Sequence, residues 1–340
     1  MTTVMKYLIP LIFTVGLCWI LFSSMSLEEM ATIIREHCDY RWILLSFAIN
    51  IISHIVRAMR WRIQLRALGV MPPLYALVYS IFGTYAVNLV LPRMGEVWRT
   101  GYISQRQDAP FATVFGSMIA DRLADTISVA LITASAFLLA SDTLTAYMSQ
   151  EGGALDTIAR IISSPWVWAL AVIMALMAWR LLCRQWPEDS ILGKAKKFIS
   201  GLWEGFAVIL TMPGKVRWLC LVILTWVCYF MQLYVVFYAF PFTTDILNEY
   251  GWVAVLVAFS LSSISMGIPS NGGIGPWQWA IIFALGIYGL RHAEAAAFAN
   301  LVMGSQTLLL IVLGIVAFAG IAFDKRNTKS EAQANDHSTD

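Results

Sequence analysis

Nine apolar segments, each close to the length that crosses a bilayer, follow one another along the 340-residue chain. They are residues 5–25, 42–58, 73–92, 111–141, 166–184, 216–240, 252–268, 276–290 and 296–323. A helix needs about 20 apolar residues to span a hydrocarbon core roughly 30 Å thick. Only 13% of the residues are charged, about half the fraction usual in a soluble domain. These features predict an all-α, polytopic membrane protein.

The charges between the apolar segments predict how the chain is oriented, because short cytoplasmic loops are enriched in lysine and arginine. The stretches predicted to be cytoplasmic are basic and comprise residues 57–66, 93–106, 180–217 and the tail after residue 323. The stretches predicted to be external are mostly acidic and comprise residues 27–39, 142–156 and 245–249. Both chain termini are therefore predicted to be cytoplasmic.

A single apolar segment, 73–92, separates two of the basic stretches, although a simple crossing would place those stretches on opposite sides. The conflict disappears if this segment is re-entrant, bends near Phe82-Gly83-Thr84 and returns to the cytoplasm. Segments 252–268 and 276–290 then form a second hairpin, which enters from outside. The prediction is about six full spans plus two re-entrant or broken helical hairpins, arranged as an inverted repeat. Nine plain crossings with an imperfect charge rule are the alternative.

Residues 1–323 are predicted to form one transmembrane domain. Within it, residues 194–210 place Phe198, Leu202 and Phe206 on one face, which is typical of an amphipathic helix lying on the cytoplasmic membrane surface. The polar stretch 324–340 is predicted to be a disordered cytoplasmic tail, because it has too few apolar residues to form a packed structure.

The first polar motif lies at the end of segment 73–92, where a proline, a glycine and three charges follow an apolar run. Its members are Asn88, Pro92, Arg93, Gly95, Glu96 and Arg99. Arginine binds phosphate through paired hydrogen bonds, so Arg93 and Arg99 are predicted to hold a lipid headgroup. Asn88 and Glu96 are predicted to assist them. Alternatively, these are ordinary juxtamembrane arginines that face lipid phosphates, and Glu96 only offsets their charge.

The second polar motif, Asp121, Arg122 and Asp125, places two carboxylates one helical turn apart on the same helix face. A charge inside the hydrocarbon needs a partner and marks a functional candidate. We predict that one of these aspartates pairs with Arg93 or Arg99. The motif then either takes part in proton coupling or only braces the re-entrant element.

A glycine-rich stretch supplies the turn of the second hairpin. It contains Asn271, Gly272, Gly273 and Gly275, and it is followed by Pro276 and Gln278. Glycine permits close backbone approach, and free amides at a helix start can bind an anion through the helix dipole. The stretch is therefore predicted to contact the headgroup, with Gln278 as a neutral hydrogen-bonding group. A tight turn that binds no ligand is the alternative.

Weaker candidates for ligand binding surround Trp61, namely Arg57, Arg60 and Arg62. Arginines that flank tryptophan at a helix end usually anchor the helix at the membrane interface. No pattern for nucleophilic catalysis, nucleotide binding or metal binding occurs, since the histidines and cysteines are scattered. The expectation is a protein that is not an enzyme, requires no metal or other cofactor and binds no nucleic acid.

Together these motifs resemble the lysylphosphatidylglycerol synthase transmembrane region family of flippase-like proteins, over about residues 1–323. The resemblance rests on four ordered motifs: the arginines around Trp61, the Asn88–Arg99 motif, the Asp121–Asp125 motif and the glycine turn. Two departures occur. Asp121 stands where the family usually has glutamate, and Asn271 and Gln278 stand where it usually has proline and glutamate. The loss of that second glutamate argues against an acid or base role for Gln278.

The resemblance implies a function in lipid movement, in the bacterial inner membrane. In bifunctional members of the family, this domain moves an aminoacylated lipid between leaflets, and a separate soluble domain, missing here, makes the lipid. The expected function is a translocator of a polar or anionic lipid, whether a phospholipid, an aminoacylated lipid or a lipid-linked precursor. The expected partners are membrane lipids. A membrane enzyme or accessory subunit acting on a lipid-linked substrate is the alternative, as is a scaffold that recruits a separate lipid-modifying synthase.

Overall fold

The computed structural model describes residues 27–143 except Pro92, residues 203 and 207–209, and residues 211–336 except Pro269, with side chains as far as Asp324. Every regular element in these ranges is helical and none is a strand, which confirms the predicted all-α class. The helices are α1 (Leu27–His37), α2 (Tyr40–Ala67), α3 (Leu74–Val90), α4 (Gly95–Arg106), α5 (Phe111–Leu139), α6 (Lys215–Val236), α7 (Pro241–Tyr250), α8 (Trp252–Ser265), α9 (Pro276–Ile287) and α10 (His292–Asp336).

By length and composition, four of the described helices are suited to cross a membrane: α2, α5, α6 and α10 as far as Asp324. The helices α7 and α8 meet at an angle of 111° and would together count as a fifth span. The predicted spans 5–25 and 166–184 lie outside the described residues, as does nearly all of the predicted interfacial helix 194–210. The α10 helix continues to Asp336, through most of the stretch predicted to be a disordered tail.

The helices α3 and α4 form an antiparallel hairpin, which we call the first hairpin. At its open end, Arg106 Nη2 donates to the hydroxyl of Tyr75 at 2.8 Å. At its tip, the amide of Gly95 donates to Asn88 Oδ1 at 2.7 Å. The stretch 93–106, predicted to be a cytoplasmic loop, is therefore mostly the returning helix of this hairpin.

The predicted bend near Phe82-Gly83-Thr84 is wrong, because α3 is a continuous helix there and the chain reverses only beyond Val90. The physical reason lies at Gly83. A Cβ at this position would lie 2.4 Å from the ring of Trp98 on α4. Gly83 therefore lets the two helices pack closely and does not break α3.

The helices α8 and α9 form the second hairpin. At its open end, the ring of Tyr250, the last residue of α7, lies at a centroid distance of 4.8 Å from the ring of Tyr288, which directly follows α9. Its turn uses Gly272, Gly273 and Gly275 at φ angles of 64°, 87° and 94°. Only glycine adopts such angles without strain, so the glycine-rich stretch forms the predicted turn.

The last helix, α10, runs along both hairpins. It is antiparallel to α3, since Gly314 packs on Ala86 and Gly320 packs on Tyr79. Near its start, Asn300 Oδ1 accepts a hydrogen bond of 2.7 Å from Gln278 on α9. The 33 residues from His292 to Asp324 extend about 50 Å at the helical rise of 1.5 Å per residue. The two hairpins therefore open at opposite ends of α10.

The contacts of the first four-helix set, α2 to α5, have counterparts in the set α6, α8, α9 and α10. The helices α2 and α6 pack antiparallel at the centre, where Asn50 Nδ2 donates to Gln232 Oε1 at 3.3 Å. The first hairpin packs on α10, and the second hairpin packs on α5. The hairpin of each set therefore packs on the last helix of the other set, which is α10 for the first hairpin and α5 for the second.

Candidate functional site

A buried cluster of arginines and aspartates joins α2 to α5. Arg60 is 0% exposed, and its Nε and Nη1 lie 2.8 Å from Asp121 Oδ1 and Asp125 Oδ1, respectively. The second oxygen of Asp125 lies 3.8 Å from Arg57 Nη2 and 3.7 Å from Arg122 Nη1. Asp125 is therefore shared by three guanidinium groups, whereas fully buried Asp121 pairs with Arg60.

The prediction that Asp121 or Asp125 pairs with Arg93 or Arg99 is wrong. The expectation that Arg57 and Arg60 anchor α2 at the membrane interface is also wrong, because both are buried against α5. The reason is that the two pairs have complementary spacing. Arg57 and Arg60 are three residues apart on one face of α2, and the aspartates are four apart on the facing side of α5. Arg62, on a different face of α2, is partly exposed.

The cluster extends to both helices of the first hairpin. Arg57 Nη1 donates to the hydroxyl of Tyr85 on α3 at 2.7 Å. Trp61 Nε1 donates to Ser117 Oγ on α5 at 3.1 Å. The guanidinium carbon of Arg99, on α4, lies 4.6 Å from the centroid of the Trp61 ring, a cation–π contact. Arg99 is 1% exposed, so this predicted site residue lies inside the protein.

Several buried polar atoms around the cluster have no hydrogen-bond partner among the described residues. They are Nε and Nη2 of Arg57, Nε and Nη2 of Arg99, both ring nitrogens of His54 and both amide atoms of Gln64. A buried donor without an acceptor costs about 1–3 kcal/mol. Within the described residues, α2 and the first hairpin therefore carry a set of buried polar groups without hydrogen-bond partners.

His54 and Gln64 were missed from the sequence. The signal that could have identified them is the face that they share with the arginines of α2. Asn50, His54, Arg57, Arg60 and Gln64 recur at intervals of three or four residues, which places them on one side of the helix. A polar stripe of this kind on an otherwise apolar helix indicates a face that packs against protein.

The tip of the first hairpin is closed by its own side chains. Asn88 accepts from the Gly95 amide, and its Nδ2 donates to Glu96 Oε2 at 3.4 Å. Arg93 has a φ of 65°, and its Nη2 donates to the backbone oxygens of Met266 and Gly267 at 2.9 and 2.7 Å. Because these carbonyls end α8, the arginine is held by the negative end of the helix dipole.

The tip of the second hairpin meets the first. Gly272 packs on Leu89, and a Cβ at position 272 would lie 2.7 Å from Leu89 Cδ2. Gln278 Oε1 accepts from the Gly275 amide at 2.7 Å, and the amide of Ile274 donates to the carbonyl of Asn271 at 3.2 Å. These amides, predicted to bind an anion, are thus already hydrogen-bonded. Gly273 packs against Met266 and Met303.

The contact between Gly272 and Leu89 leads to a testable prediction. Gly272→Ala is expected to lower the thermal stability of the detergent-purified protein, because the new methyl group overlaps Leu89 and the φ of 64° is unfavourable for alanine. Adding Leu89→Ala removes the overlap and should restore part of the lost stability. The cost of the unfavourable φ at position 272, about 1–2 kcal/mol, should remain. Additive losses in the double variant would show that the two tips do not meet.

The fold and these contacts define a class: a multi-pass helical membrane protein with two hairpins and a buried ion-pair cluster. The family model for the lysylphosphatidylglycerol synthase TM region matches residues 7–314. The chain therefore belongs to that family, as the four sequence motifs predict. No curated protein and no solved structure gives a significant match.

Proposed function

We propose that the protein moves a polar or anionic lipid between the two leaflets of the bacterial inner membrane. The observation that carries the proposal is the meeting of the two hairpin tips beside α10, where Arg93 binds the carbonyls that end α8. Backbone that leaves the helical conformation at membrane depth is tolerated where it is covered by protein or lines a wet cavity. Two such turns, approaching from opposite ends, suit a path for a polar headgroup.

The contact pattern supports an inverted repeat of two four-helix sets, with both hairpins re-entrant. The basic end of α2, the open end of the first hairpin and residue Asp324 lie at the same end of the protein. The acidic stretch 245–249 lies near the open end of the second hairpin. In the proposed orientation the basic end is cytoplasmic, and so are both termini.

In the proposed mechanism, the headgroup moves along the hairpins while the acyl chains remain in the hydrocarbon. The sequence has no nucleotide-binding motif, so the movement is passive or coupled to an ion. Asp125 and Glu96 are the carboxylates assigned to any proton coupling, because both are only partly buried. Asp121 is fully buried against Arg60 and serves to hold that arginine.

The test is lipid movement in liposomes that contain the purified protein and a trace of fluorescent phosphatidylglycerol. A quencher added outside removes the fluorescence of the outer leaflet. The remaining inner-leaflet fluorescence is then expected to fall much faster than in empty liposomes, because the protein moves labelled lipid outward. Arg99→Gln should slow this step about tenfold, because it removes a charge that would form hydrogen bonds to the passing headgroup, each worth about 1.5–3 kcal/mol. The matched control is Arg66→Gln, which changes an exposed arginine on α2.

Two outcomes would contradict the proposal. One is that no headgroup class moves faster with the wild-type protein than without it. The other is chemical conversion of the lipid, detected by mass spectrometry after a donor substrate or a separate synthase is added. Conversion without movement would identify a membrane enzyme or an accessory subunit of one.

A further inference from the structure

The buried cluster contains more positive than negative charge. Three guanidinium groups are buried, those of Arg57, Arg60 and Arg99, whereas Asp121 is the one fully buried carboxylate. The partly exposed groups nearby, Asp125, Glu96 and Arg122, bring the totals to four guanidiniums and three carboxylates. An uncompensated charge in a buried site is strongly unfavourable, and the described residues of the cluster are one negative charge short of neutrality.

The deficit is concentrated at Arg57 and Arg99. Arg60 has close contacts to both aspartates, at 2.8 Å each. Arg57 reaches Asp125 only at 3.8 Å, without a hydrogen bond. Arg99 has no ion pair within the described chain, and the positive charge of Arg57 repels it more strongly than the carboxylate of Asp121 or of Glu96 attracts it. An anion placed between these two arginines would remove that repulsion.

The free atoms of both arginines have the geometry that suits an oxyanion. In each case Nε and Nη2, which lie along the same edge of the guanidinium plane, have no hydrogen-bond partner, although Arg57 Nη2 also faces Asp125 Oδ2 at 3.8 Å. That edge presents two parallel N–H groups, the arrangement that binds two oxygens of one phosphate. The remaining face of Arg99 is covered by Trp61, and Nη1 of Arg57 is used by Tyr85.

We propose that Arg57 and Arg99 form a binding site for a phosphate group and that the site selects a lipid whose headgroup is anionic overall. The proposal rests on the proposed function and names its substrate class. A phosphodiester headgroup with no cation supplies the one missing negative charge. An aminoacylated headgroup brings an ammonium group into a site that already has excess positive charge, and like charges in a poorly solvated site repel.

The test measures binding of three lipids to the purified protein in phosphatidylcholine nanodiscs by native mass spectrometry. Phosphatidylglycerol is expected to bind about tenfold more tightly than lysylphosphatidylglycerol or added phosphatidylcholine, a difference that one charge-assisted hydrogen bond can supply. Arg57→Gln and Arg99→Gln should each abolish the preference. Arg99→Lys, which keeps the charge but loses the two parallel N–H groups, should retain part of the preference. The control Arg66→Gln should bind as the wild type does.

Equal binding of the three lipids to the wild type would overturn the proposal, as would a preference that survives both glutamine variants. Soluble phosphate provides a separate comparison. If millimolar inorganic phosphate protects the protein from thermal unfolding as well as phosphatidylglycerol does, the site serves a soluble anion and the assignment to a lipid is wrong. Movement of all lipids without preference would contradict this inference alone. Preferential binding without movement would support the site and contradict the translocation proposal.

Discussion

Replacing Gly95 by alanine is expected to disrupt the first hairpin, whereas the same replacement at Gly101, on the same helix, is expected to leave it intact. A Cβ at position 95 would lie 2.2 Å from the backbone oxygen of Thr84 and 2.8 Å from Asn88 Oδ1. The backbone of Thr84 cannot move aside without separating α3 from α4. At Gly101 no atom lies within 4 Å of the new methyl group.

The expected difference in stability between the two variants has two contributions of opposite sign. Overpacking of a filled site typically costs about 1–3 kcal/mol, and a backbone obstacle places Gly95→Ala at or above that range. Gly101→Ala should be neutral or stabilising by up to about 1 kcal/mol, because alanine is the better helix former. Thermal unfolding of both variants in detergent measures the difference. Equal unfolding temperatures would show that α3 and α4 are not in contact at Gly95.

Arg60→Gln is expected to be the most destabilising single change in the buried cluster. It leaves Asp121 inside the protein without its partner and removes the closest contact of Asp125. Breaking a buried ion pair by removing one member costs about 3–5 kcal/mol, because the remaining charge has no compensation. The loss should appear as a lower unfolding temperature and a lower yield of folded protein. Arg66→Gln, an exposed change on the same helix, should have little effect.

A double variant separates the charge effect from simple loss of packing. Arg60→Gln combined with Asp121→Asn removes both members of the tightest pair and leaves no isolated charge at position 121. Asp125 keeps its contacts to Arg57 and Arg122. The double variant should therefore be more stable than Arg60→Gln alone. If it is less stable by the sum of the two single losses, the pair contributes no coupling energy.

The sequence predicts the hairpins better than it predicts the residues that hold them together. The charge pattern on either side of segment 73–92 indicates a chain that turns back, and α3 and α4 do so. The sequence predicts the wrong position for the turn, because a glycine inside an apolar run also allows a bend. Whether Gly83 bends a helix or admits a neighbouring ring depends on Trp98, which only the folded structure brings to it.

The buried cluster, too, is only partly predictable from the sequence. Charge and spacing identify Asp121 and Asp125 as residues that need partners, and that expectation is correct. The sequence does not identify their partners, because arginines near a helix end usually reach the interface, whereas Arg57 and Arg60 are buried against α5. Which face of α2 meets which face of α5 is set by long-range packing. Local pattern alone does not contain that information.

The link between Arg93 and the end of α8 has a consequence for the electrical insulation of the membrane. Under the proposed function, a protein that admits polar headgroups into the bilayer must still hold back protons and small cations, since a leak would dissipate the ion gradients of the cell. Bare carbonyls at a helix end attract cations. Here Met266 and Gly267 are occupied by a fixed guanidinium charge instead. If the headgroup passes beside the two tips, as proposed, the positive charge of Arg93 would repel protons and cations there, and the contact that joins the tips would also act as an electrostatic barrier.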